Sequence, residues 1–242
     1  MENYEKRARL ELSNWQAKMI KRPSLFNNLT KGMQNRVNQL IPERVHQAMT
    51  TAIKNLLRAT LIGSEYTTQK PVSLNLTLEE REKQVQSRLI FYRKAAAWEG
   101  AGTGAGGLLL GLADFPLLLS LKMKFLFEVA ALYGYNVRDY RERLYILHLF
   151  QLAFASDKGR REIYQKIYHW QSTVQKFPPD LPLQSIDWRQ LQQEYRDYID
   201  LVKLLQLLPG IGAVVGAYGN YRLLDTLGET AINGYRLRYF NK

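Results

Sequence analysis

The 242-residue chain is predicted to fold as an all-α protein, and three observations carry that expectation. Apolar residues recur at helical spacing along most of the chain. Helix start and stop signals punctuate it repeatedly. No hairpin signal and no sustained strand alternation occurs. Hydrophobic residues make up 46% and charged residues 23%, so the chain is globular and long enough to bury a sizeable core. A basic helical region over residues 1–76 is expected to precede a helical core over 77–242, together forming one domain. Cysteine is absent, which excludes a disulfide framework, Cys-ligated zinc, iron–sulfur clusters and thiol catalysis.

Residues 3–20 are rich in Glu, Lys, Arg, Leu and Ala and read as a helix that Arg22-Pro23 ends. A second helix is expected over 25–40. Pro42, with Glu43 in the first turn, opens a third that runs to about Gly63. Residues 64–76 hold Pro71 among Ser, Thr and Asn and read as a loop. Thr77-Leu78-Glu79-Glu80 is a capping box, so a helix to about Trp98 should follow. Asp114-Phe115-Pro116 predicts another start, with Asp114 as N-cap, for a helix to Tyr133 that Gly134 stops. Residues 139–155 and 157–173 are two further helical segments. Phe177 to Pro182 is a rigid break, and Asp187 caps a last predicted helix to about Leu208.

Two segments stand apart. Ala101 to Leu121 is 21 residues with one charge, Asp114, and Leu204 to Tyr221 is 18 residues with none. Both approach the ~20 apolar residues that cross a bilayer. Their flanks argue against spanning. Arg93 and Lys94 precede the first and Lys122 and Lys124 follow it; Lys203 precedes the second and Arg222 follows it. A spanning helix prefers its basic flank on one side. The segments therefore read either as buried helical hairpins or as a shallow interfacial wedge. Gly100/Gly104, Gly107/Gly111 and Gly212/Gly216 are each four apart, which places each pair on one helix face where backbones can approach closely. Those faces suit helix packing within the chain or a seam with another copy.

Tests for chemistry are mostly negative. Gly102 to Gly107 matches a dinucleotide fingerprint in letters, but a helical pattern rather than a strand precedes it. Neither a P-loop nor a serine-hydrolase elbow occurs. His46, His148 and His169 have no metal-ligand spacing, so no metal and no cofactor is expected; His148 reads as a core histidine. Glu194, Asp197 and Asp200 read as a solvated face. Asp114 is the one acid in an apolar stretch, either an N-cap or a buried acid sharing a helical cavity with Lys122 and Asn220.

Net charge is +12, and residues 1–60 hold 11 Lys and Arg against 4 Asp and Glu. Lys18, Lys21 and Arg22 are the candidates for contact with an anionic membrane surface. Gly234-Tyr235-Arg236-Leu237-Arg238-Tyr239-Phe240 mixes arginine with aromatics that can stack bases, but no nucleic-acid fold signature accompanies it. The N-terminus has charges throughout and no apolar run of targeting type, which supports a cytoplasmic location or the inner face of the cell membrane.

The run Gly111-Leu-Ala-Asp-Phe-Pro-Leu-Leu-Leu119, then Lys122 and Ala130-Ala-Leu-Tyr-Gly-Tyr135, resembles the EcsC family, as does Leu208-Pro-Gly-Ile-Gly-Ala-Val-Val-Gly216 with Asn220. The resemblance covers most of the chain and lends no catalytic residues. The family's association with an ATP-binding-cassette transporter implies a helper role at the membrane. Two functions are therefore expected to compete. One is a non-enzymatic accessory protein that binds anionic lipid or a transporter subunit. The other is an enzyme of unassigned chemistry that acts on a lipid or peptide in the cavity of Asp114 and Asn220.

Overall fold

The structure is a computed structural model and describes residues 2–21, 43–62, 75–103, 107–175, 177 and 213–241. Regular structure among these residues is α-helical: α1 (Glu2–Ile20), α2 (Glu43–Ile62), α3 (Leu78–Thr103), α4 (Gly107–Leu132), α5 (Tyr140–Ala153), α6 (Asp157–Tyr168), α7 (Trp170–Val174) and α8 (Ala213–Phe240). The helices predicted over 25–40 and 187–208, the loop over 64–74 and the prolines at 178–182 lie outside the described residues.

Local signals account for most boundaries. At the start of α3, Glu80 Oε2 accepts from the Thr77 backbone N–H at 2.8 Å, and Thr77 Oγ1 accepts from the Glu80 N–H at 3.2 Å. This is the reciprocal capping box. At the end of α4, Gly134 takes φ 87°, a left-handed conformation that a side chain disfavours. Its N–H donates to the Ala131 carbonyl and that of Tyr135 to the Ala130 carbonyl, both at 3.0 Å, which closes a Schellman motif. Asp139 caps α5 through the Arg141 N–H and Ser156 caps α6 through the Gly159 N–H. The segment predicted as one helix over 157–173 divides at His169, whose carbonyl accepts from the Thr173 N–H at 3.0 Å.

One predicted boundary is corrected. Asp114 does not cap a helix: α4 begins seven residues earlier at Gly107 and carries Pro116 inside it. An interior proline forfeits one backbone hydrogen bond and costs ~3 kcal/mol. Packing offsets that cost. Pro116 and Leu117 face outward, while Phe115, Leu118 and Leu119 are buried on the opposite side. Three such apolar side chains stabilise the continuous helix by roughly 1.5–3 kcal/mol each.

The long helices α3, α4 and α8 form the frame. Glu82 lies opposite Arg236, Leu89 opposite Gly228 and Arg93 opposite Asp225, so α3 and α8 are antiparallel. Arg81 reaches the Leu132 carbonyl and Tyr92 packs on Phe125, so α3 and α4 are antiparallel too. Glu11 bonds Arg236 and Lys18 bonds Glu229, which runs α1 antiparallel to α8. The C-terminus of α3 and the N-termini of α4 and α8 therefore lie at one end of the molecule. These are the helix ends that carry the glycine-rich apolar sequence. Helices α5 to α7 complete the other end, where Tyr133, Tyr145, Tyr235 and Trp170 pack ring on ring. His148 is buried there against the Trp170 ring, as expected of a core histidine.

Two glycines outside the predicted pairs fix close contacts. A Cβ on Gly228 would meet Leu89 Cδ2 at 2.8 Å. A Cβ on Gly234 would collide with Leu149 Cδ2 and sit 3.4 Å from the Tyr145 hydroxyl. Leu149 and Tyr145 are fully buried, and the Tyr145 hydroxyl is held by the Gly234 carbonyl at 2.6 Å, so neither can give way freely. Gly234→Val should therefore destabilise the fold by about 1–3 kcal/mol. At ~2–4 °C per kcal/mol for a chain of this size, the loss is readable as a lowered midpoint in a thermal melt.

Candidate functional site

Of the residues singled out for a cavity, only Lys122 has its side chain among the described residues. Lys122 is buried in α4. Asp114 lies on the same helix, eight residues earlier, a rise of about 12 Å. Asn220 lies in the first turns of α8. The side chains of Asp114 and Asn220 are outside the described residues. Gly100, Gly107, Gly111 and Gly216 fall within α3, α4 and α8, whereas Gly104 and Gly212 lie outside the described residues, as does Arg22. Lys18 is exposed and pairs with Glu229 at 3.2 Å; Lys21 is exposed and its carbonyl accepts from Arg160.

What the fold does assemble is a pair of buried arginine–carboxylate clusters on the last two turns of α8. In the first, Glu82 of α3 receives Arg236 in bidentate fashion, Nε to Oε1 at 2.8 Å and Nη2 to Oε2 at 2.6 Å. The Tyr133 hydroxyl donates to Oε1 at 3.0 Å and the Tyr4 hydroxyl to Oε2 at 2.7 Å. Arg236 also donates from Nη1 to Glu11 at 2.8 Å. Glu82 and Arg236 are 3% and 6% exposed, so this pair is fully removed from water. Charges so placed are tolerated only when paired and hydrogen-bonded. Burial opposes the Arg236 charge, and the hydrogen bonds and charge of Glu82 outweigh it, so its pKa rises.

In the second cluster, Glu142 of α5 accepts from Arg238 Nη1 at 2.6 Å and from the Tyr235 hydroxyl at 2.7 Å. The Arg238 guanidinium lies 3.6 Å from the Tyr135 ring centroid and 4.5 Å from that of Tyr145, a desolvated cation–π arrangement. Burial pushes the Glu142 carboxyl upward against the opposing pull of Arg238 and Tyr235. A polar cleft of about 230 Å³, lined by Asp139, Arg141 and Trp170 among others, opens onto this pair. The arginines and tyrosines of the 234–240 run, candidates for stacking on bases, are thus engaged with carboxylates and rings of their own fold.

A third feature lies midway along the frame. Arg93 pairs with Asp225, and its guanidinium stands 4.8 Å from the Tyr221 ring centroid. The antiparallel registers bring Lys21 of the α1 end, Arg93 and Lys94 of α3, Lys124 of α4 and Arg222 of α8 to about one level. Lys94, Lys124 and Arg222 are exposed there. The basic flanks that bracket the first apolar segment in sequence therefore lie side by side in space. No described helix is long and apolar enough to cross a membrane. Among the described residues no group of His, Asp and Glu could hold a metal.

The family model for the EcsC protein family matches residues 6–240. The chain belongs to the EcsC family. It is 46% identical to Protein EcsC of Bacillus subtilis (strain 168) over 228 residues, which cover 94% of this chain and 93% of that protein. It is 34% identical to the uncharacterized protein YdbA of the same organism over 145 residues, 60% of this chain and 52% of that one. No solved structure matches the chain. EcsC-family membership agrees with the resemblance carried by the 111–135 and 208–220 motifs.

Glu82, Glu142 and the inward role of Arg236 and Arg238 escaped the sequence. Glu82 follows Glu79 and Glu80 in what reads as an acidic, solvated first turn. Only its place one turn beyond the capping box, on the face of buried Leu78 and Val85, distinguishes it. Arg236→Met should leave Glu82 buried without its cation and lower stability by about 3–5 kcal/mol in urea titrations. The double variant Glu82→Gln with Arg236→Met should recover part of that loss, since no uncompensated charge remains. A second expectation concerns pH. Burial and the hydrogen bond to Glu82 push the Tyr4 phenol up to about 12, and burial also raises Tyr92, Tyr133, Tyr145 and Tyr235. A phenol whose folded pKa exceeds its unfolded value near 10 contributes stability that is complete below pH 10 and lost as pH rises through the folded value. Tyrosinate absorbance should lag free tyrosine above pH 10 and then rise together with loss of helical ellipticity.

Proposed function

We propose that this chain is a non-enzymatic accessory protein at the cytoplasmic face of the cell membrane, where it contacts anionic lipid and assists an ATP-binding-cassette transporter. One observation carries the reading. The three glycine-rich apolar helix ends lie together at one end of the frame, bordered by a basic level at Lys21, Arg93, Lys94, Lys124 and Arg222. Leu117 and Tyr221 are exposed large apolar residues beyond that level, on the side of the glycine-rich helix ends. From Lys94 to the end of α3 is about 14 Å of helix. An interfacial element buries its apolar face ~5–10 Å deep with cations near the headgroups, so the outer part of this stretch would enter the leaflet and no span is needed.

The buried carboxylates support the accessory role over the catalytic one. Glu82 accepts four hydrogen bonds and has no lone position for general acid–base chemistry. Glu142 is held between Arg238 and Tyr235. A transporter subunit as the protein partner rests on the family resemblance.

Co-sedimentation of the full chain with phosphatidylglycerol vesicles tests the reading. Binding at low salt should fall in part at high salt, leaving a salt-resistant fraction from apolar burial. Charge reversal at Lys18, Lys21 and Arg22 should reduce only the salt-sensitive fraction. Absence of binding at low salt would reject lipid contact and leave a protein partner alone.

A further inference from the structure

The two buried arginines of α8 are not equally satisfied. Arg236 bonds carboxylates through all three of its side-chain nitrogens, Nε and Nη2 to Glu82 and Nη1 to Glu11. Arg238, two residues on, bonds Glu142 through Nη1, while its Nε is buried and meets no hydrogen-bond partner among the described residues. Its side chain is 13% exposed, so water replaces little of what is missing. The Tyr135 and Tyr145 rings shelter its charge but do not satisfy that donor. A buried donor left without an acceptor destabilises the fold, and one on a charged group more so. The polar cleft of about 230 Å³ at this end of the molecule opens at the same guanidinium, and Asp139, Arg141, Glu142, Trp170, Gln171 and Val174 complete its lining. Asp139 accepts from the Arg141 backbone N–H and from Arg141 Nη2, both at 2.8 Å. The acids and arginines of the lining therefore match two to two, and the shortage is one of acceptors for Arg238.

We infer that this cleft binds a small monocarboxylate, its oxygens on the guanidinium of Arg238 and its short carbon body against Trp170 and Val174. A planar carboxylate fits the planar guanidinium, and an ionised acceptor bonds it roughly twice as strongly as a neutral one. Charge limits the occupant from the other side. With the lining already balanced, a singly charged acid is admitted, whereas a dianionic phosphate monoester meets the repulsion of Asp139 and Glu142. Gln171 is exposed at the mouth, where its amide N–H can donate to the outer oxygen. The cleft lies at the end of the frame opposite the glycine-rich helix ends, so the inference is independent of the membrane-face reading.

Butyrate, its neutral isostere butyramide and inorganic phosphate are titrated into the full chain and followed by ligand-observed NMR. Butyrate should bind, and butyramide and phosphate should bind roughly tenfold more weakly or worse. Arg238→Lys keeps a cation for Glu142 but loses the guanidinium, so it should weaken butyrate roughly tenfold with helical ellipticity unchanged. Gln171→Glu adds a negative charge at the mouth and should weaken butyrate roughly threefold or more, while Gln84→Glu, on an exposed position of α3 outside the lining, should change it less than about twofold. No binding of butyrate, equal binding of butyrate and butyramide, or full affinity in a folded Arg238→Lys variant overturns the assignment. If Arg238→Lys does not fold, the two glutamine variants decide, and equal weakening by both overturns it. Tighter binding of phosphate than of butyrate would assign the cleft to phosphate and reject the carboxylate. Much tighter binding of N-acetylvaline than of butyrate would assign it to the C-terminus of a peptide and reject the small acid.

Discussion

The bidentate pair of Glu82 and Arg236 is the constraint on which the rest of the frame depends. Two ions withdrawn from water lose several kcal/mol of hydration each, and only near-complete hydrogen bonding restores the balance. That requirement reaches four parts of the chain at once. Glu11 and Tyr4 come from α1, Glu82 from α3, Tyr133 from the turn after α4 and Arg236 from α8. Each partner sits at one position along its helix, so satisfying the pair sets the axial register of α1, α3 and α8. Apolar packing alone permits sliding by a turn; a bidentate fork does not.

With the register set, the remaining contacts along the same interface follow. Leu89 falls on Gly228, where the missing side chain lets α3 and α8 approach, and Arg93 reaches Asp225 about three turns on from the pair. The second cluster extends the same logic sideways. Arg238 ties α8 to Glu142 of α5, and its guanidinium is sheltered by tyrosine rings, which replace water around a cation at low entropic cost. The molecule is consequently polarised along its long helices. One end is a dense network of arginine, carboxylate and tyrosine. The other carries glycine-rich apolar helix ends above a basic level. The proposed function uses this asymmetry: the rigid end holds three helices in fixed register so that their opposite ends present one surface.

Legibility followed the range of the interactions. The Thr77 capping box, the Gly134 stop and the helix opening at Glu43 were readable because each is decided by neighbours within a few residues. The basic residues Arg93 and Lys124 that flank 101–121 come to about one level because α3 and α4 run antiparallel. Pro116 misled because its local preference, to open a helix, was overridden by burial of Phe115, Leu118 and Leu119 on the inward face. The 234–240 run was left undecided by its letters for a related reason. Arginine beside tyrosine has the same letters whether it awaits a ligand or completes a core.

By itself, then, the sequence determined an all-α chain of the EcsC family, most helix ends, and a strong separation of charge from glycine-rich apolar segments. These are properties of composition and of contacts within a helical turn or two. Only the tertiary structure decided which acids and arginines are inside. Glu82 and Arg236 are 154 residues apart, and Glu142 and Arg238 are 96 apart. No periodicity links residues at such separations. Whether a charge is solvated or buried depends on what the folded chain places opposite it, and that is settled by the antiparallel register of the long helices.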